Sequence, residues 1–187
     1  MTPEAALAEL MAGNRRYTEG RLRAHEEDLA ILRADTEEQQ QPFAAVLSCA
    51  DSRVPVEIVF DQSIGHVFVV RVAGNVVTPE IMASLEYGAV ALGVKAFLVL
   101  GHGNCGAVKA AMEGKEVPGQ ISALYPHIQP ALSRGADLQA AIKANAELQR
   151  ELLRNASTVI SGLAKEKKIQ VAAGYYDIRA GSVTLLG

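Results

Sequence analysis

The fold is decided by the stretch Phe43-Ala44-Ala45-Val46-Leu47-Ser48-Cys49-Ala50-Asp51-Ser52-Arg53, in which an apolar run ends directly at a group of reactive side chains. A short, uninterrupted apolar run is typical of a strand buried on both faces of a sheet. If the backbone stays extended past the strand, Cys49, Asp51 and Arg53 point to the same side. A thiol, a carboxylate and a guanidinium then share one small volume at the end of a strand.

A second stretch repeats this arrangement about fifty residues later. The apolar run Ala96–Leu100 ends at Gly101-His102-Gly103-Asn104-Cys105, and Cys49 and Cys105 are the two cysteines of the chain. Two thiols, one imidazole and the carboxylate of Asp51 make a plausible tetrahedral zinc set. The sequence therefore predicts a zinc site with Cys49, Asp51, His102 and Cys105 as ligands.

The remaining pattern alternates strands with helices. Val67–Val72, Ile169–Ala173 and Ser182–Leu186 are strand-like, whereas Thr78-Pro79-Glu80 begins a helix and Asp137–Lys165 is expected to be one long amphipathic helix. This alternation predicts an α/β fold with a mainly parallel central sheet flanked by helices. We expect one domain over residues 1–187, with an N-terminal helical arm (1–41) and an α/β core (42–187). In such sheets ligands gather at the carboxyl ends of the strands.

Composition narrows the class of protein. The chain has 187 residues and a formal net charge of −3, so it lacks the basic footprint of a nucleic-acid-binding protein. Its apolar runs have the length of strands, which predicts no membrane span. The first residues lack the pattern of a signal peptide, and we expect a cytoplasmic protein, where cysteine pairs more often bind metals than form disulfides.

Plainer interpretations of these motifs exist. A cysteine at a strand end is often just a small buried apolar residue. Gly101-His102-Gly103-Asn104-Cys105-Gly106 also fits the G-x-G-x-x-G pattern of dinucleotide-binding loops, but the region about twenty residues later offers no strand ending in an acid. The other histidines, His25, His66 and His127, are expected to be structural or exposed.

With these residues placed, the chain resembles the β-class carbonic anhydrases. The resemblance covers nearly the whole chain and rests on four segments together with an opening helix: Cys49-Ala50-Asp51-Ser52-Arg53-Val54-Pro55, Gly101–Val108, Phe68–Asn75, Ser84-Leu85-Glu86-Tyr87 and Leu10–Tyr17. It implies a zinc enzyme that reversibly hydrates carbon dioxide to bicarbonate and a proton by means of zinc-bound hydroxide.

The resemblance also implies a role for each site residue. Cys49, His102 and Cys105 match the fixed zinc ligands, and Asp51 with Arg53 matches the catalytic dyad that gates the fourth zinc position. Water occupies that position when Arg53 holds Asp51, and the site closes when Asp51 binds the metal. Catalytic zinc needs such an exchangeable position, at which the pKa of bound water falls toward about 7. The family's substrate-binding residues correspond to Gln40, Phe68, Ala73, Tyr87 and Gly106.

One departure from the family concerns regulation. A subgroup binds bicarbonate as an inhibitor in a pocket that uses a tryptophan three residues before the first zinc cysteine. Val46 stands at that position here, and only Arg71 and Tyr176 match the rest of the pocket. We therefore expect no strong inhibition of this kind.

The resemblance further implies a homodimer or homotetramer whose N-terminal helix wraps the partner. The apolar stripe Ala6–Met11 fits this role, and it fits packing on its own domain equally well.

Two alternative functions remain. One is a hydrolase of carbon disulfide or carbonyl sulfide on the same scaffold. The other is a non-catalytic, zinc-stabilised assembly protein in which Asp51 stays on the metal.

Overall fold

The computed structural model describes residues 1–24, 36–114, 116 and 118–187. His25 and part of the polar stretch 19–41 lie outside the described residues. The helices are α1 (Pro3–Thr18), α2 (Val56–Val59), α3 (Pro79–Val90), α4 (Gly106–Glu113), α5 (Tyr125–Leu132), α6 (Leu138–Ala156) and α7 (Thr158–Lys165), with 3₁₀ turns at Ala73–Asn75 and Ile121–Leu124. The strands are β1 (Ala44–Ser48), β2 (Val67–Arg71), β3 (Ala96–His102), β4 (Gln170–Asp177) and β5 (Ser182–Leu186).

These strands form one sheet in the order β2-β1-β3-β4-β5, and this confirms the predicted α/β class. The first four run parallel, and β5 joins β4 antiparallel. The register sets Ser48 of β1 level with Leu100 of β3, and His102 level with Tyr176 of β4. The strand ends that carry Cys49 and His102 therefore meet at the carboxyl edge of the sheet.

Alternate residues of each central strand enter opposite halves of the core. Ala44 and Val46 pack with α1 and α2 on one face, whereas Ala45 and Leu47 pack with α3, α6 and α7 on the other. All five residues of β1 are buried, as a strand covered on both faces requires. In the part of the chain that the structure describes, no helix is long and apolar enough to cross a membrane.

Helix α1 packs against the core of its own chain. Thr2 caps it by accepting a hydrogen bond from the N–H of Ala5. Ala6, Leu7 and Leu10 share an apolar cluster with β1 and β3. Near its end the helix lies so close to α2 that a side chain at Gly13 would fall 1.7 Å from the carbonyl oxygen of Phe60. The apolar stripe of α1 thus covers this chain's own sheet.

Asn14 fastens α1 to two neighbouring elements. Its amide donates to the carbonyl oxygens of Val59 (3.1 Å) and Gly181 (2.9 Å), and its Oδ1 accepts from the N–H of Val183 (2.8 Å). Because β5 is an edge strand, its outer backbone groups would otherwise need another partner. One buried side chain therefore satisfies part of the sheet edge and fixes the end of the helix.

The prediction of one long helix over Asp137–Lys165 is wrong. The backbone leaves the helical region at Ser157 (φ −82°, ψ 119°), which separates α6 from α7. The Ser157 hydroxyl accepts from the N–H of Ile160 and donates to Glu86 at 2.5 Å. Serine is a strong N-cap residue, and here a tertiary contact to α3 adds to its preference for starting a new helix.

Replacing Asn14 with alanine is expected to lower the free energy of unfolding by about 3 kcal/mol, since buried backbone groups at Val59, Gly181 and Val183 lose their partner. Urea denaturation at one fixed protein concentration measures this loss. Thr18→Ala, an exposed change on the same helix, is the matched control and should cost much less. Equal losses for the two variants would contradict the role assigned to Asn14.

Candidate metal centre

The turn that carries Cys49 and Asp51 is fixed by its own backbone and by the neighbouring strand. Arg71, at the end of β2, donates to the carbonyl oxygens of Cys49 (3.0 Å) and Asp51 (2.6 Å). The N–H of Val54 donates to the same Asp51 carbonyl at 3.1 Å. Parallel pairing sets Arg71 level with Ser48, so the guanidinium reaches across the end of β1. The side chains of the turn are thereby held over the carboxyl edge of the sheet.

His102 and Cys105 come from the end of β3 and the start of α4. His102 is the last residue of the strand and is completely buried. Asn104 adopts φ +54°, which turns the chain sharply so that Cys105 becomes the N-cap residue of α4. An asparagine tolerates this left-handed conformation better than most residues. The tight turn brings the imidazole and the second thiol to the same place.

The structure brings Cys49, His102 and Cys105 together. Their metal-ligating atoms all lie within 4.8 Å of one another, and the two sulfurs are 4.0 Å apart. A tetrahedral zinc ion separates its ligand atoms by roughly 3.3–3.8 Å. All three side chains are buried, and both cysteines are free thiols. The cluster can therefore hold a divalent metal after a small adjustment.

The imidazole of His102 is set up as a metal ligand. Its Nδ1 lies 3.0 Å from the carbonyl oxygen of Gly103, which can only accept, so Nδ1 carries the proton. Its Nε2 is then a lone-pair donor, and this buried nitrogen has no hydrogen-bond partner among the described residues. A buried polar atom without a partner calls for an explanation. A metal ion bound by the two sulfurs would supply the missing partner.

The electrostatics of the cluster favour a cation. A hydrogen bond from the Cys105 thiol lowers the pKa of Cys49, assisted by the N–H of Gly74 and opposed by burial. The same sulfur pair and burial raise the pKa of Cys105, against the N–H groups of Val108 and Ala107. One thiolate therefore forms readily, and the second needs a positive partner. A divalent metal would provide that partner and displace the remaining thiol proton.

Asp51 lies beside this cluster, and its carboxylate is bound by Arg53. The guanidinium donates to both carboxylate oxygens, at 2.9 Å to Oδ1 and 2.7 Å to Oδ2, and the N–H of Arg53 also donates to Oδ1. This pairing holds the pKa of Asp51 well below its usual range. Oδ2 is 3.9 Å from Nε2 of His102. The carboxylate thus stands next to the donor cluster while its oxygens are engaged elsewhere.

The glycines around His102 are explained by packing. A side chain at Gly101 would lie 3.2 Å from Ile142 on α6, and one at Gly103 would lie 3.1 Å from the hydroxyl of Tyr175. A side chain at Gly106 would meet nothing within 4 Å. Two of the three glycines are thus needed because neighbouring elements pack closely against them. This packing explains the G-x-G-x-x-G pattern without a bound dinucleotide.

The five predicted substrate-binding residues are only partly gathered. Ala73 adjoins Gly74, whose N–H donates to the Cys49 sulfur, and Gly106 directly follows Cys105. The rings of Phe68 and Tyr87 pack against each other with centroids 6.2 Å apart, and Tyr87 is 52% exposed. Gln40 is exposed. Neither ring belongs to the fully buried core, and the substrate assignment of these residues stays a prediction.

The residues that match the bicarbonate pocket bond to or pack against other groups of the protein. Arg71 is bonded to the Cys49–Asp51 turn, as described above. The hydroxyl of Tyr176 lies 3.3 Å from that of Tyr17 on α1, and Val46 is fully buried in the core.

Among the remaining histidines, His66 lies beside the ring of Phe43, and the carbonyl of His127 accepts from Gln149.

Sequence reasoning missed the residues that support the site. Arg71 clamps the first turn, Gly74 donates to the Cys49 sulfur, and two amides on α6, Asn145 and Gln149, lie behind Gly74. The sequence did contain a sign that the two amides are unusual. Positions 145 and 149 continue the apolar stripe that includes Ala141 and Ile142, so two polar residues stand where the helix faces the core.

Comparison with known proteins agrees with this geometry. Residues 44–183 match the family model described as carbonic anhydrase. Carbonic anhydrase 2 of Mycobacterium tuberculosis is 39% identical over 137 residues, which are 71% of this chain and 66% of that protein. The carbonic anhydrase of Mycolicibacterium smegmatis is 36% identical over 184 residues, covering 93% of this chain and 89% of its own length.

Solved structures show the same fold. A β-carbonic anhydrase of Coccomyxa in complex with acetazolamide superposes with a TM-score of 0.72 at 25% identity, over 96% of this chain and 86% of that one. A tetrameric β-carbonic anhydrase of Sordaria macrospora gives a TM-score of 0.78 at 24% identity, over 88% and 89%. The fold, the donor cluster and the family match lead to one conclusion: the chain belongs to the carbonic anhydrase family, in its β class.

Proposed function

We propose that the chain is a zinc-dependent carbonic anhydrase that interconverts carbon dioxide and bicarbonate. The observation that carries the proposal is the Cys49–His102–Cys105 cluster with Asp51 held beside it by Arg53. Three protein donors are the set expected for a catalytic zinc, which needs a further, exchangeable position. When bound, zinc supplies a Lewis acid that activates water for attack on carbon dioxide.

The two thiolates and His102 would hold the metal, and Asp51 would control access to it. To reach the metal, the carboxylate must give up the bond from Nη2 of Arg53 to Oδ2, while the main-chain bond to Oδ1 can serve as a pivot. Arg53 also donates to the carbonyl oxygen of Asn104 at 3.2 Å, so the guanidinium keeps an anchor after Asp51 leaves. The gate is thus a competition between Arg53 and the metal for one carboxylate.

This competition argues against the non-catalytic alternative. A structural zinc site is closed by four protein ligands and has no use for a guanidinium that withholds one of them. Arg53 instead forms a bidentate pair with Asp51, a strong and geometrically specific interaction. We therefore assign Asp51 and Arg53 to the catalytic cycle rather than to the support of a permanent metal cap.

Substrate binding and assembly follow from the same family. Phe68 and Tyr87 would offer an apolar wall to carbon dioxide, with Ala73, Gly106 and the Gln40 amide around it. Tyr87 and Val90 leave large apolar surfaces of α3 exposed (52% and 68%), and the relative from Sordaria macrospora is tetrameric. We propose a homodimer or homotetramer that buries this face. Two reduced thiols kept for a metal fit a cytoplasmic setting.

The decisive measurement is stopped-flow hydration of carbon dioxide by protein of known zinc content, at neutral and mildly alkaline pH. We expect turnover that disappears when a chelator removes the metal and returns when one equivalent of zinc is restored. Higher activity at alkaline pH is expected, because two thiolates make the zinc a weaker Lewis acid than three imidazoles would. A fully zinc-loaded protein without turnover would refute the proposal and direct attention to carbonyl sulfide and carbon disulfide.

Arg53→Ala is expected to lower kcat/KM roughly 10- to 100-fold while zinc content stays near one per chain, because Asp51 is then free to occupy the metal. Metal analysis of the same samples used in the stopped-flow assay checks both parts. Arg53→Lys is the control, since it keeps the charge but loses the bidentate geometry, and it should recover only part of the activity. Loss of zinc from the alanine variant would mean that Arg53 maintains the site itself.

Bicarbonate should inhibit only weakly and without cooperativity, because Val46 replaces the tryptophan and both Arg71 and Tyr176 are bonded to other groups. The hydration rate is measured over a bicarbonate titration, with chloride at equal ionic strength as the control. A steep, cooperative fall in rate that chloride does not reproduce would show that an inhibitory pocket exists.

A further inference from the structure

Two buried amides interrupt the apolar face of α6. Asn145 and Gln149 are both completely buried, one helical turn apart, on the buried side of the helix. Burying a polar side chain is unfavourable unless its donors and acceptors are satisfied. Their bonds therefore show what the two residues hold in place.

The bonds lead from α6 to the turn after β2. Gln149 accepts from the N–H of Val77 (2.8 Å), and its Nε2 donates to the carbonyl of His127 (2.9 Å) and to Oδ1 of Asn145 (3.1 Å). With its oxygen engaged in this way, Asn145 must direct its Nδ2 away from Gln149. That group donates to the carbonyl oxygen of Gly74 at 2.9 Å.

Gly74 connects this chain of bonds to the metal cluster. Its N–H donates to the Cys49 sulfur at 3.3 Å, while its carbonyl accepts from Asn145. The residue has φ +75°, and a side chain there would fall 2.9 Å from Ile128, so it must be glycine. Asn145 thus anchors the carbonyl end of the same residue whose N–H reaches the Cys49 sulfur.

We propose that Asn145 is a positioning residue for the Cys49 metal ligand: by bonding the Gly74 carbonyl it holds the backbone of this residue so that the Gly74 N–H stays bonded to the sulfur. Gln149 in turn fixes the orientation of the Asn145 amide. The proposal rests on the proposed function, in which Cys49 binds zinc. A hydrogen bond to a thiolate withdraws electron density from the sulfur, so the metal keeps more of its Lewis acidity.

The test uses cobalt(II) in place of zinc, because thiolate-to-cobalt charge-transfer bands report on the sulfur directly. In Asn145→Ala, the band should move to lower energy, since the sulfur is more electron-rich without its hydrogen bond. Zinc affinity, measured by competition with a chelator, should fall about tenfold or more. A band and an affinity equal to those of the wild type would overturn the proposal.

Asn14→Ala is the matched control. Asn14 is also a buried asparagine whose amide bonds to backbone groups, but those groups belong to α2 and β5. We expect it to lose stability and to keep the wild-type cobalt spectrum and zinc affinity. If both variants change the cobalt spectrum equally, Asn145 acts only through general stability, and the proposal is wrong.

A measurement on the unaltered protein covers the case in which Asn145→Ala does not fold. In protein loaded with cadmium-113, the bond between Gly74 and the Cys49 thiolate should transmit a scalar coupling from the metal to the Gly74 amide proton. Absence of that coupling while the metal is bound through sulfur would overturn the inference. If wild-type protein gives no thiolate charge-transfer band with cobalt, the proposed zinc site itself fails, which is a distinct result.

Discussion

The site depends on the parallel register of β1 and β3. Residues about fifty positions apart form one cluster because Ser48 is level with Leu100, so that Cys49 and His102 leave the sheet side by side. Side chains alternate along a strand, and a slip of one residue would send the imidazole to the opposite face. The register is protected because every residue of both strands is buried, with alternate side chains committed to two different apolar clusters.

Burial of the donor cluster creates a need for positive charge beside the two sulfurs. Two thiolates in a buried site need a compensating positive charge, which a divalent cation bound with His102 would supply. The guanidiniums of Arg53 and Arg71 lie at the exposed rim, where they engage the Asp51 carboxylate and three backbone carbonyls rather than the sulfurs. Their position leaves the sulfurs available to a metal, and Arg53 stabilises the negatively charged Asp51 next to them.

Much of this arrangement could be predicted from the sequence, and the exceptions have physical reasons. The strand at Ser182–Leu186 and the clustering of Cys49, His102 and Cys105 were predictable, because they follow from local apolar patterns and from residue types that few other chemistries need. The break at Ser157 was not, because it depends on a contact with Glu86 on α3, 71 positions earlier. Local periodicity contains no information about such a contact, and α6 and α7 together preserve a continuous amphipathic pattern.

The placement of Phe68 and Tyr87 marks a different limit. Sequence favours core packing for two aromatics in an α/β domain, and Phe68 does pack against the core, but Tyr87 is half exposed and lies over the Phe68 ring from the surface side. An aromatic pair at the surface of a single chain gains little from burial unless something covers it. Helix α1 bonds to the β5 edge through Asn14 and buries its apolar face on its own chain. The apolar face of α3 at Tyr87 and Val90, in contrast, stays exposed. The exposed face contains Tyr87, one of the residues proposed to bind substrate, so the proposed oligomer interface and the proposed substrate wall would share a surface.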